Sequence, residues 1–170
     1  MVKHIDSLMV VWHIAEIEAR HLGSRQIEPS HLFLGLLKIV DLDLKKALAK
    51  STGIDSEAVV TEAGFLRSCF GEYDLDTTRI RRRFRRYLKK DKEPVDSSIH
   101  LRRSQKARAA FSRAERLAES NDGCVHPLHL ATALLQEQDA SIESILEESG
   151  CFPTELRRYF EAQLSKIKAP

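Results

Sequence analysis

Two histidines, His31 and His129, stand at matched places in the chain, each close to where a helix would begin. Imidazoles so placed are candidate metal ligands, and His126 and His129, three residues apart, would share one helical face. Neither histidine has a Cys or carboxylate ligand set near it in the sequence, so the spacing argues for a structural role and no metal. Cys69, Cys124 and Cys151 permit a Cys–His nucleophile pairing on paper, yet none sits in a local signature of one. Cys124 lies beside an apolar helix entry and Cys151 follows Gly150, which reads as packing. No carboxylate pair marks a cleft. The residues imply no catalysis and no cofactor. What remains is electrostatic: Arg79-Ile-Arg-Arg-Arg-Phe-Arg-Arg-Tyr-Leu-Lys-Lys-Asp-Lys92 carries nine cations against one Asp. Its charge of +8 in a chain of net +2 leaves −6 on the rest.

The elements that position these residues come as a repeat. Ile27-Glu-Pro-Ser-His-Leu-Phe-Leu-Gly-Leu-Leu37 returns 98 residues later as Val125-His-Pro-Leu-His-Leu-Ala-Thr-Ala-Leu-Leu135. Both read apolar-x-Pro-x-His-Leu-x-x-small-Leu-Leu. The proline suits the first turn of a helix, where its missing N–H costs nothing. Leu32, Gly35 and Leu36 then share one face, as Leu130, Ala133 and Leu134 do. Ahead of the first copy, Leu8, Val11, Trp12, Ala15, Ala19 and Leu22 form a helical stripe closed by Gly23. Its counterpart is Ala107, Ala110, Phe111, Ala114 and Ala118, opened by Ser104. Trp12 thus matches Phe111, which points to core packing rather than a ligand site. After each copy a short helix is expected, with Leu44, Ala47 and Leu48 or Ile142, Ile145 and Leu146 inward, ended by Gly53 or Gly150. A fourth helix follows, carrying Val59, Ala63 and Leu66 in one unit and Leu156, Tyr159, Phe160 and Leu164 in the other. The spacing predicts two four-helix repeats, residues 5–68 and 101–168, around an insert at 69–100 without a twin. Within the insert, Ile80, Phe84, Tyr87 and Leu88 mark one face of an amphipathic helix surrounded by arginines.

At 170 residues with 42% apolar and 31% charged content, the chain suits one compact helical domain. No apolar run approaches a membrane span, and the N-terminus lacks the order of a signal peptide. Three widely spaced cysteines fit a reducing, cytoplasmic setting without disulfides.

A duplicated four-helix unit with Glu-Ala-Arg-His-Leu-Gly (18–23) ahead of Ile-x-x-x-His-Leu-x-Leu-Gly-Leu-Leu (27–37) resembles the Clp N-terminal domain. This is the double-repeat module at the front of the Hsp100/Clp unfoldases such as ClpA, ClpB and ClpC. The resemblance covers nearly the whole chain except about 69–101, with the first repeat the more typical. It implies an all-α, pseudo-twofold pair of repeats that collects protein substrates and adaptors for an ATPase ring. No Gly-x-x-x-x-Gly-Lys-Ser/Thr occurs, so the ATP-binding engine is absent from this sequence. Where ClpC-like members place a Glu that grips phosphorylated arginine, this chain has Ser30 and Leu128, and a neutral side chain cannot pair with a guanidinium.

These readings converge on a non-catalytic interaction module that docks extended or helical peptide segments in a groove between the repeats. Its partners would be Clp AAA+ ATPase or protease subunits, or protein substrates, with no membrane role. Partner contacts are expected at Arg81, Arg82, Arg85, Arg86, Lys89 and Lys90 of the basic segment, and at Glu28, Ser30, His126 and Leu128 of the repeated stretches. Three readings of the basic helix stay open: a solvated helix whose arginines answer the surrounding −6, docking to an acidic protein, or contact with phosphates of nucleic acid or an anionic membrane. A nucleic-acid-binding regulator acting through Arg79–Lys92 is the rival function. The closing Lys166-Ile-Lys-Ala-Pro170 reads as a linker, so the chain either stands alone or fronts a longer unfoldase.

Overall fold

The computed structural model describes residues 3–89, 93–121 and 123–167. Among these are nine helices: α1 (Asp6–His21), α2 (Pro29–Ile39), α3 (Leu44–Leu48), α4 (Ser56–Gly71), α5 (Thr77–Leu88), α6 (Gln105–Glu119), α7 (Pro127–Gln136), α8 (Ala140–Glu148) and α9 (Pro153–Leu164). Four two-residue strands join them: β1 (Lys3–His4), β2 (Gln26–Ile27), β3 (Arg102–Arg103) and β4 (Cys124–Val125). Helices α1–α4 and α6–α9 form the two repeats, and α5 lies between them in sequence.

The strands show how the repeats interlock. β1 pairs in parallel with β4, in register Lys3 to Cys124, and β2 pairs with β3, Gln26 to Arg102. Each repeat therefore lends its first strand to the second strand of the other, and the two ladders have matching registers. That exchange is the mark of a pseudo-twofold axis. Trp12 and Phe111 meet on it, edge to face with centroids 6.0 Å apart. His4 stacks on Phe111 and the Arg103 guanidinium lies over both rings, so the cluster also ties β1 and β3 to the axis.

Helix starts and stops follow local chemistry. Asp43, Asp55, Asp76, Ser104 and Asp139 cap α3, α4, α5, α6 and α8 by accepting backbone N–H bonds. α1 ends in a Schellman turn, with Ser24 N–H donating to Ala19 O, Gly23 N–H to Arg20 O, and Gly23 at φ +68°. In both repeats the histidine of the shared stretch fixes the next helix. His31 Nδ1 accepts the Glu28 N–H at 2.9 Å, and His129 Nδ1 accepts the His126 N–H at 3.1 Å. Each imidazole thus satisfies a donor that the helix start would otherwise leave unpaired. Burial lowers the His31 pKa to about 4, against an opposing pull from the Glu18 carboxylate, so the ring is neutral.

One continuous core runs through both repeats, filled by Leu, Ile, Ala and Phe. Gly35 of α2 lies so near α1 that a Cβ would stand 2.6 Å from the Val11 carbonyl oxygen. In the second repeat Ala133 faces a helix bearing Ala110 where α1 has Val11, so bulk is moved from one helix to the other. Two expectations are corrected. Only Leu44 of α3 is fully buried, while Ala47 is exposed, because the helix is a single turn that stops at Leu48. α4 runs on to Gly71 and buries Cys69 and Phe70, entering the stretch read as insert.

Candidate interaction surfaces

Strand exchange brings the start of α1, the outer face of α4 and the start of α7 together. They enclose a groove of about 590 Å³ whose walls come from both repeats. Its apolar lining is Ile5, Ala58, Phe65, Pro127, Leu128 and Ile167, and Lys3, Asp6, Asp55, Glu62, His126 and Lys166 supply charge and polarity. The wall is braced from within. Ser7 Oγ donates to Glu62, whose other carboxylate oxygen lies 3.6 Å from His126 Nδ1, and the Asp55 N–H donates to Asp6 at 2.8 Å.

This Ser–Glu–His arrangement lacks the order of a nucleophilic triad. The Ser7 hydroxyl faces the carboxylate rather than an imidazole base, and Ser7 is fully buried. Burial pushes the Cys69 and Cys151 thiols up to about 11, which keeps them protonated and poorly nucleophilic. Among the described residues, no group of three or more His, Cys, Asp or Glu is placed to hold a metal ion. No described helix is long and apolar enough to cross a membrane.

Of the residues singled out from sequence, His126 and Leu128 line the groove, whereas Glu28 caps α2 and Ser30 is buried, both away from it. Ser7, Glu62 and Phe65 were not anticipated. They stand outside the repeated stretch, and only the exchange of strands carries them to its second copy.

The basic helix α5 divides into two faces. Ile80 and Phe84 are buried, with Phe84 packed on Phe33 at 6.1 Å between centroids. Arg81 is also buried and donates to Asp41 at 2.7 Å, where Thr77 and Thr78 donate as well and hold the carboxyl below its usual range. Arg85 forks onto the buried Glu18 with both its Nε and an Nη, which raises the guanidinium's own pKa. These two arginines are therefore used by the fold. At about 100° per residue, Arg79, Arg82, Arg83, Arg86 and Lys89 fall in one arc of roughly 120° opposite the buried face. Arg83 donates to the Glu148 carbonyl at 2.7 Å, which leaves its charge in place. Among the described residues none of the five has a carboxylate within 4.0 Å. Like charges at such helical spacings cost roughly 0.2–0.5 kcal/mol per pair. Lys90 lies outside the described residues.

Comparison with known proteins agrees with this architecture. Residues 102–169 match the family described as the Clp repeat (R) N-terminal domain. The match falls on the second repeat, whereas the sequence had pointed to the first as the more typical. No curated protein matches the chain. Among solved structures, the Hsp104 N-terminal domain from Candida albicans superposes with a TM-score of 0.66 at 18% identity, covering 98% of this chain and 96% of its own. The N-terminal domain of the caseinolytic protease associated chaperone ClpD from Arabidopsis thaliana gives 0.62 at 18%, with coverage of 95% and 94%. A structure from work on a malarial protein secretion system gives 0.70 at 15%, covering 97% of both chains. Residues 102–169 thus match the Clp repeat (R) N-terminal domain family by sequence, and over nearly its whole length the chain shares the fold of the Hsp104 and ClpD N-terminal domains.

Proposed function

We propose that this chain recognises polypeptides for a Clp/Hsp100 ATPase or its protease, holding a segment of a substrate or adaptor in the groove between the repeats and doing no chemistry of its own. The observation that carries this reading is the groove itself. It is open, it is built by both repeats, and its lining is mostly apolar with charged and polar side chains among it. Such a lining takes a few apolar side chains of an extended or helical segment, while the charged and polar groups set its orientation. A contact of this size is small beside a stable protein–protein interface, which suits capture followed by release. His126 and Leu128 would touch the bound segment, with Phe65, Ile5 and Glu62.

The rival, a nucleic-acid regulator acting through Arg79–Lys92, has less in its favour because Arg81 and Arg85 are already engaged by Asp41 and Glu18.

A test uses Thr61, which is exposed on the rim, and Ala58 on the wall. Thr61→Trp and Ala58→Phe would fill the groove without entering the core. Binding of a permanently unfolded, reduced and carboxymethylated polypeptide is followed by fluorescence anisotropy. The proposal expects micromolar binding that each filled variant weakens at least about tenfold. Unchanged binding in both variants would refute it.

A further inference from the structure

The outward face of α5 makes no ion pair among the described residues and has no part in the groove. We infer that it is a second docking surface, for an acidic polypeptide segment carrying an apolar side chain. α5 is anchored by Ile80, Phe84, Arg81 and Arg85, with one further bond from Arg83 to the Glu148 carbonyl, and Arg79, Arg82, Arg86 and Lys89 add nothing to that anchoring. The five cations repel one another, and an outside anion would relieve that repulsion. Four of the five are arginines, whose planar forks match carboxylates two bonds at a time. The surroundings fix the class of that anion. Asp74, Asp76 and Glu148 border the depression beside Arg79 and Arg83, so the cationic strip is one helix wide with carboxylates along its margin. A narrow chain of carboxylates fits such a strip. A nucleic-acid duplex is broader, and its phosphates would lie against those carboxylates. Further along the same flank, Tyr87, half exposed, and Ile145 form a shallow depression with Arg83, Arg86 and Glu148. That depression gives the segment a place for one apolar side chain beside its charges.

This surface is separate from the groove and is tested separately. The probe is a fluorescein-labelled 14-residue peptide of glutamates with one central leucine, compared with single-stranded and duplex oligonucleotides of similar charge. Anisotropy is measured at 50 and 200 mM salt on the intact chain and on R82E/R86E and R82Q/R86Q. Arg82 and Arg86 are exposed, so both variants should keep the wild-type circular dichroism and unfold no lower than the wild type, as repulsion along α5 falls. The inference expects the peptide to bind, to weaken at least about fivefold between the two salts, and to weaken at least about tenfold in R82E/R86E with a smaller loss in R82Q/R86Q. T61W should leave it unchanged. Absence of peptide binding at 50 mM, retention in R82E/R86E, loss in T61W, or tighter binding of either oligonucleotide would each overturn it.

Discussion

His31 couples the stability of this domain to pH, and the size of the effect follows from its surroundings. The ring is 4% exposed, and its Nδ1 accepts the Glu28 N–H, leaving the proton of the neutral form on Nε2. Its pKa is about 4 in the fold against 6.5 in an unfolded chain. Between those values the unfolded state binds more protons, so stability rises with pH across the window and falls as the solution is acidified through 6.5. Linkage gives a loss of roughly 2 kcal/mol at pH 5 relative to pH 7.5, and roughly 3 kcal/mol at pH 4. At about 2–4 °C per kcal/mol for a chain of this size, the pH 5 loss is about 4–8 °C in Tm. His31→Gln isolates this contribution, because a Gln at the third helical position still accepts the same N–H but does not titrate. Urea unfolding at pH 7.5 and pH 5, followed by far-ultraviolet circular dichroism, gives the stability of both proteins. The variant should lose about 2 kcal/mol less than the wild type over that interval. Equal losses in the two proteins would refute the assignment of this pH dependence to a neutral, buried His31.

Gly35→Ala should destabilise the domain by about 1–3 kcal/mol in the same assay, since the close approach of α1 outweighs the gain in helix propensity. Neutral stability would mean that the helices can separate without cost. Glu18→Ala should cost roughly 1–2 kcal/mol, a figure kept low because the Arg85 side chain remains 42% exposed. A loss below 0.5 kcal/mol would show that the pair contributes nothing to holding α5. Cys69 and Cys151 should resist a thiol reagent at pH 8 in the native state and react on unfolding, which a colorimetric thiol titration reads directly. Prompt reaction of both without urea would contradict their burial.

The helices were legible because their signals are local. Proline, caps and the spacing of Leu and Ala define α1, α2, α6, α7 and α9 within a residue or two. Repetition then gave the equivalence of Trp12 and Phe111, although their meeting on one axis required the fold. The strands were not legible, since two residues carry no periodicity, and with them went the exchange that builds the groove. Glu18 and Asp41 lie far in sequence from the arginines they receive, so nothing local distinguishes Arg81 and Arg85 from Arg82 and Arg86. Only the side of α5 that faces α2 does. The groove residues Ser7, Glu62 and Phe65 belong to the first repeat and meet the second through β1 and β4, a long-range juxtaposition with no signature in either stretch.

On this reading the groove and the α5 strip would divide labour on one small scaffold. Weak apolar capture at one place and salt-sensitive anchoring at another would let a client be held briefly while an acidic partner stays attached. His31 sets a condition on both, because acidification loosens the start of α2 on which the first repeat is built.

The central claim is that polypeptides enter the inter-repeat groove, and photo-crosslinking tests it most directly. A photoreactive amino acid is placed at Thr61 on the rim, and at Ile99 as an exposed apolar control away from it. Each protein is irradiated with the unfolded polypeptide. The account predicts strong crosslinking from Thr61, competed by unlabelled polypeptide, and only background from Ile99. Equal yields at the two positions, or crosslinking confined to Ile99, would contradict it.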